Sequence, residues 1–245
     1  MVPASKSTRR WLILSLALNA ALICGAAAIV IYKGGWHWLA GFSRSAQPER
    51  FSQTAIYRGR VDAFQKTPEH TGGWVFLGDS LTDYALTQEL FGPQALNRGI
   101  AGDRVSDMAK RASEVSRHAP SAVVLWGGTN DLLAGLGCDE VVQQTLNLAK
   151  TLKSASPQAH LIVLGPPPVG NRLADNPHGF QANIECVNRN LSQRISEVNA
   201  EFGNPAIVLA DRSGALNAAY GFDGIHLNGE GYRAWSDWLL PMLSR

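Results

Sequence analysis

Hydrophobic and polar positions along this chain fall into two alternating kinds of block. Five short apolar runs, Val75–Leu77, Ala95–Asn97, Val123–Trp126, Leu161–Leu164 and Ile207–Leu209, read as strands. Between and around them lie stretches of helical period: Phe51–Phe64, Val105–Arg117, Asp139–Lys153, Gln181–Phe202 and Glu230–Leu243. Val105, Met108, Ala112 and Val115 share one face of the second stretch. Val142, Leu146, Ala149 and Leu152 share one face of the third, at the three- and four-residue spacing of an amphipathic helix. Asp139 and Asn228 are suited to cap their helices. Strands that are apolar throughout, separated by amphipathic helices, predict βαβ units. The fold class is therefore α/β, with a parallel sheet covered on both faces. Sites in such sheets lie beyond the carboxyl ends of the strands. That edge would gather residues distant in sequence.

The N-terminus has a different pattern. Trp11 to Tyr32 is an uncharged run of 22 residues. As a helix it would span roughly 33 Å, enough to cross a bilayer core. Lys6, Arg9 and Arg10 precede it and Lys33 follows. The basic bias predicts an inside N-terminus and a domain outside the cytoplasm, periplasmic or extracellular. A cleaved signal peptide is the competing reading, since Ala26-Ala27-Ala28 offers small residues, but the apolar run continues through Ile29-Val30-Ile31-Tyr32. Ile23 before Cys24 argues against a lipoprotein cysteine. The expected organisation is a basic segment at 1–10, a transmembrane signal anchor at 11–32, a linker at 33–50 with Trp36, Trp38 and Phe42 suited to headgroups, and one domain at 51–245.

Charge supports that division. Five of the 22 basic residues precede Glu49, and none of the 20 acidic residues does, so the remainder carries a net charge of −3 although the whole chain is at +2. Without a basic excess or a Lys/Arg run, the domain is not expected to bind nucleic acid. Cys138 and Cys186 are the domain's cysteines. Cys186 falls away from the apolar face of its helical pattern, and an exported domain can hold a disulfide, so a Cys138–Cys186 bridge stands beside two free thiols as an expectation.

The chemistry is concentrated in four short segments. Gly78-Asp79-Ser80-Leu81 follows the first strand and would place a hydroxyl on a tight turn at the sheet edge. Asn97-Arg98-Gly99 follows the second, Gly127-Gly128-Thr129-Asn130-Asp131 the third, and Asp223-Gly224-Ile225-His226 stands near the C-terminus. A serine hydroxyl needs a base within reach, and the base needs an acid to fix its tautomer. His226 and Asp223 can supply these. Backbone N–H groups of Ser80 and Gly99, with the side-chain amide of Asn130, can hold an oxyanion. Taken singly, each has a structural alternative. Ser80 could cap a helix, His226 could be buried, Gly99 could serve a turn, and Asn130 could close an Asx turn. The histidines outside these segments are scattered without metal-ligand spacing. Trp126 could wall an acyl pocket or fill the core, and Pro166-Pro167-Pro168 reads as a stiff loop beside the site.

These segments, in this order, resemble the GDSL, or SGNH, hydrolase family over about Gly72 to Leu243. The segment His226-Leu227-Asn228-Gly229-Glu230-Gly231-Tyr232 is similar to its platelet-activating-factor acetylhydrolase-like branch. The resemblance implies a three-layer α/β/α domain with a flavodoxin-like five-stranded parallel sheet. It implies Ser80 as nucleophile, Gly99 and Asn130 as oxyanion donors, and Asp223 and His226 completing a triad. No cofactor or metal is implied. The expected activity is hydrolysis of short acyl esters, acetyl above all, of glycans or other alcohols. Lysophospholipase or thioesterase chemistry on lipids is the alternative, and a non-hydrolytic acyl-carbohydrate binder or acyltransferase component a third. The chain lacks the second glycine of a G-x-S-x-G elbow, which separates it from ordinary α/β-hydrolases.

Overall fold

A computed structural model describes residues 54–171 and 179–244, together with residues 11, 15, 17–25 and 28. The chain forms two compact units, Met1–Glu49 and Arg50–Arg245. In the first, residues 17–25 are helical and exposed. No helix among the described residues is long and apolar enough to cross a membrane. Part of the 11–32 run and all of the 33–50 linker lie outside the described residues.

The second unit opens with α1 (Ala55–Lys66), β1 (Trp74–Gly78), α2 (Ser80–Asp83), α3 (Thr87–Phe91) and β2 (Ala95–Gly99). It continues with α4 (Val105–Lys110), α5 (Ala112–Ser116), β3 (Ala122–Trp126), α6 (Thr129–Leu133), α7 (Cys138–Ala155) and β4 (His160–Leu164). Then come α8 (Phe180–Arg194), a 3₁₀ turn (Ile195–Val198), β5 (Glu201–Gly203), α9 (Ala206–Leu209) and α10 (Gly229–Leu243). The five strands pair in parallel in the order β2-β1-β3-β4-β5.

Because successive strand side chains point to opposite faces, each apolar run feeds two cores. Val75, Leu77, Val123, Leu125, Leu161 and Val163 pack with α4, α5, α7 and α8. Phe76, Val124, Trp126, Ile162 and Leu164 pack with α2, α3, α9 and α10. The result is three layers, helices on either side of one sheet. Trp126 belongs to this second core rather than to an open pocket. It stacks on Trp235 at 4.9 Å, and its Nε1–H donates to the Gly165 carbonyl at 3.1 Å. The Pro166–Pro168 run is also buried, with the Pro166 carbonyl accepting from Asn188 Nδ2 at 3.0 Å.

Several boundaries differ from the pattern. Ile207–Leu209 is not a strand. It lies in α9, which buries Leu209 and leaves Ile207 exposed, and three apolar residues fit a helical turn as well as a strand. The fifth strand is Glu201–Gly203, which overlaps the end of the stretch expected to be helical. That helix stops because Asn199 takes a left-handed conformation at φ 53° and turns the chain into the sheet. The Val105–Arg117 stretch is two helices, broken at Arg111, whose guanidinium turns inward to the carbonyls of Gly78 and Arg98. Asn228 caps α10 by accepting from Gly231 N–H, whereas α7 is capped at Gly137, with Asp139 in its first turn facing the positive end of the helix dipole. The sulfurs of Cys138, at the start of α7, and Cys186, on α8, are bonded. Cys24 is unpaired and exposed.

The register decides what can meet. Gly78, Gly99 and Trp126 are level across β2-β1-β3. The segments that leave these three strands therefore start side by side at one edge.

Candidate active site

Gly78 ends β1, and the chain turns at once into α2. The cap of α2 is Asp79, whose Oδ1 accepts the Leu81 N–H at 3.0 Å. With that duty on Asp79, the Ser80 hydroxyl is left free of the helix. Its Oγ lies 2.9 Å from His226 Nε2. Among the described residues the Ser80 N–H has no acceptor, as befits the first residue of a helix.

His226 sits on a turn closed by an antiparallel bridge between Gly221 and Leu227. Asp223 organises this turn. Its Oδ1 accepts the N–H groups of Ile225 at 2.9 Å and His226 at 2.8 Å. Its Oδ2 lies 2.6 Å from His226 Nδ1. A carboxylate at Nδ1 fixes the proton there and leaves Nε2 as an acceptor toward Ser80. Partial burial pushes the Asp223 carboxyl up, but the hydrogen bonds from His226 and the two backbone N–H groups outweigh it, and the net shift is below the usual carboxylate value. Asp223 is therefore ionised at neutral pH. The rings of Tyr84 and Phe222, both largely exposed, lie 5.2 and 5.9 Å from the His226 ring. A cleft of about 440 Å³ opens beside Asp223 and Phe222, lined also by Gly170, Leu216 and Asn217.

Asn130 lies in α6, just beyond β3, and its Nδ2 donates to the Asp103 carbonyl at 2.9 Å. That bond uses one of its two amide hydrogens. The other is available to a ligand. Gly99 is placed differently from expectation. Its N–H is already held by Asn97 Oδ1 at 2.8 Å. Its lack of a side chain serves packing instead, since a Cβ there would lie 2.2 Å from the Asp83 nitrogen. The neighbouring Gly102 has the properties sought in Gly99. It adopts φ +83°, its N–H has no acceptor among the described residues, and the next carbonyl, that of Asp103, is the one Asn130 holds. The signal was present in the sequence as a second glycine three residues on, followed by Asp103.

Behind this edge lie three buried carboxyls, Asp79, Asp103 and Asp131, each directly beside Ser80, Gly102 or Asn130. Burial raises Asp79 to about 7 and Asp103 to about 6, the latter despite the Arg111 guanidinium at 2.7 Å. Burial raises Asp131 as well, against the Val105 N–H that its Oδ2 accepts at 3.1 Å. Among the described residues no group of three or more His, Cys, Asp or Glu side chains is placed to hold a metal ion.

A doubly wound parallel sheet with a serine, a histidine and a carboxylate in hydrogen-bond sequence at its carboxyl edge defines a serine ester hydrolase. A family model for the GDSL-like lipase/acylhydrolase family matches residues 72–234, and the chain belongs to that family. Among curated proteins no sequence matches. Solved structures of the same fold include a GDSL-like lipase from Bacteroides thetaiotaomicron. Its TM-score is 0.66 at 20% identity, over 77% of this chain and 97% of that one. A Streptococcus pneumonia protein provisionally assigned as a platelet activating factor gives a TM-score of 0.65 at 25% identity, over 77% and 91%. An acetylxylan esterase mutant from Geobacillus stearothermophilus gives 0.56 at 18% identity, over 72% and 95%.

Proposed function

We propose that this protein is an esterase that removes short acyl groups, acetyl above all, from the hydroxyls of carbohydrates or similar alcohols. The observation that carries ester hydrolysis through Ser80 is the pair of distances Ser80 Oγ to His226 Nε2, 2.9 Å, and His226 Nδ1 to Asp223 Oδ2, 2.6 Å. The short acyl group and the sugar rest on the rings around His226 and on the acetylxylan esterase fold. Ser80 attacks the ester carbonyl while His226 takes its proton. The N–H groups of Ser80 and Gly102 and the free amide hydrogen of Asn130 stabilise the oxyanion. His226 then protonates the leaving alcohol, and water, activated the same way, releases the acid and restores Ser80. The leaving alcohol must lie against His226, whose ring has the exposed side chains of Tyr84 and Phe222 as neighbours. Two exposed ring faces suit a flat, partly apolar sugar. The acetylxylan esterase of the same fold acts on a substrate of that kind.

Lipid esters are the second reading, favoured by the exposed side chains of Tyr84, Leu86 and Phe222. The apolar run at 11–32 supports an N-terminal membrane anchor, and its basic flank a domain outside the cytoplasm.

The test is hydrolysis of p-nitrophenyl esters from acetyl to palmitoyl by the full-length protein and its Ser80→Ala variant. A maximum at acetyl or butyryl that vanishes in the variant supports the first reading. A maximum at long chains moves the assignment to lipids. Activity unchanged in Ser80→Ala would overturn the mechanism.

A further inference from the structure

The family match begins at residue 72, so α1 lies outside it. This helix nevertheless covers the loop that carries Gly102. Tyr57 and Phe64, with Val61 beside them, close over Ile100. On the same helix the Arg60 guanidinium stacks 5.0 Å above the Phe64 ring, pairs with Asp83 Oδ1, and reaches the Gly99 carbonyl at 3.4 Å. The other Asp83 oxygen accepts the Ala101 N–H at 3.1 Å. Asp83 is the last residue of α2, the short helix that begins with Ser80. One carboxylate therefore ties the nucleophile's helix to the residue before Gly102, and one guanidinium from α1 holds that carboxylate and the end of β2 together.

We propose that Arg60 is a positioning residue for the oxyanion site. Through Asp83 it sets the distance between the Ser80 and Gly102 N–H groups, and it neutralises a carboxylate that would otherwise face a developing negative charge. The inference rests on Gly102 as an oxyanion donor, the reading given above. Both effects act on the tetrahedral state and not on the bound ester, so they belong in kcat. Without Arg60 the Asp83 side chain is free to turn to water and release Ala101. Both contacts come from one guanidinium nitrogen, Nη2, so lysine keeps the charge and can donate to both oxygens, but it lacks the planar face that stacks on Phe64 and holds that nitrogen in place.

The experiment is steady-state hydrolysis of p-nitrophenyl acetate by full-length wild type, R60A, R60K, D83N, R60A/D83N and G102A, with a thermal melt of each. R60A should lose roughly 10- to 100-fold in kcat, as small displacements of a catalytic group do, with KM within about twofold of wild type. R60K should fall between. D83N in the R60A background should recover part of the loss, because the introduced amide can still accept the Ala101 N–H through its oxygen and brings no charge. A merely structural Arg60 would lower the melting temperature and leave kcat of the folded protein alone. That result, or a loss confined to KM, or an R60A/D83N double variant whose losses simply multiply, would overturn the proposal. If R60A does not fold, R60K and D83N carry the test by the same kcat criterion. A silent wild type, or a G102A with wild-type kcat, would instead overturn the mechanism on which the inference stands.

Discussion

The side-chain amide of Asn130 donates to the carbonyl of Asp103 at 2.9 Å, and so ties the end of β3 to the loop that leaves β2. With β1 between them in the sheet, Ser80 is flanked on both sides by groups locked to each other. Asn130→Ala removes an oxyanion donor and this strut together. The expected loss is about 10² to 10³ in kcat, the range found when one such donor is deleted, with little change in KM. Steady-state kinetics on a short ester decides it, and an unchanged kcat would remove Asn130 from the site.

Asp223→Asn should be nearly as damaging as loss of the histidine. Its two oxygens fix both the turn and the Nδ1 proton of His226. An amide could present its NH₂ to Nδ1 and stabilise the wrong tautomer, and a loss of about 10⁴ in kcat is expected on that ground. Circular dichroism should show an intact fold. If kcat falls less than tenfold, Asp223 is not the orienting acid.

Gly99 and Gly102 should fail in different ways. Alanine at 99 meets the Asp83 backbone and should destabilise or misfold the domain. At residue 102, alanine must adopt φ +83°, which strains the loop locally. The expectation is a folded Gly102→Ala with depressed kcat and a Gly99→Ala that melts early. Melting curves and kinetics on both variants separate the roles, and the reverse pattern would return the oxyanion assignment to Gly99.

Asp79 links stability to pH. Its unfolded value is 3.8, and burial raises it to about 7 in the fold. Between these values the native state holds a proton that the unfolded chain has released. Its contribution to stability is therefore greatest below the unfolded value and is lost as pH rises toward 7. Asp103 acts in the same direction up to about 6. Asp79→Asn removes the first contribution, so urea unfolding of the variant should show a shallower decline from pH 5 to 7.5 than wild type. Equal slopes would mean Asp79 is ionised in the fold.

The disulfide closes a sequence separation of 48 residues between α7 and α8. Chain entropy alone assigns such a cross-link about 4 kcal/mol. Cys138→Ser should lower the melting temperature markedly, with kcat of the folded enzyme kept. Thiol titration of the denatured, unreduced protein should find one group, Cys24. Three would mean the bridge does not form.

Much of this fold was legible in the sequence because β1 and β3 are apolar from end to end, β4 is apolar after His160, and the long helices carry apolar faces, although β2 shows only Ala95 and Leu96 before Asn97 and Arg98. β5 was not legible. Glu201-Phe202-Gly203 has no strand pattern and follows a helix without a Pro or Gly stop, while Ile207–Leu209 imitates a strand by three adjacent apolar residues. In the candidate site, residues whose chemistry is rare, Ser80, His226 and Asp223, stand together as their types suggested. Gly99 was harder, because two glycines in one short segment look alike until the partners of their N–H groups are known. Only the fold shows Asn97 Oδ1 occupying one of them.

The position of α1 bears on how this enzyme can be cut. A fragment beginning at residue 72, where the family match starts, would keep all five strands and Ser80, Gly102, Asn130, Asp223 and His226. It would lose Tyr57, Phe64 and Arg60, and with them the roof over Ile100. Such a piece is a complete inventory of reactive groups resting on an exposed hydrophobic floor. The shortest useful enzyme is therefore longer than its family signature, and begins before Ala55.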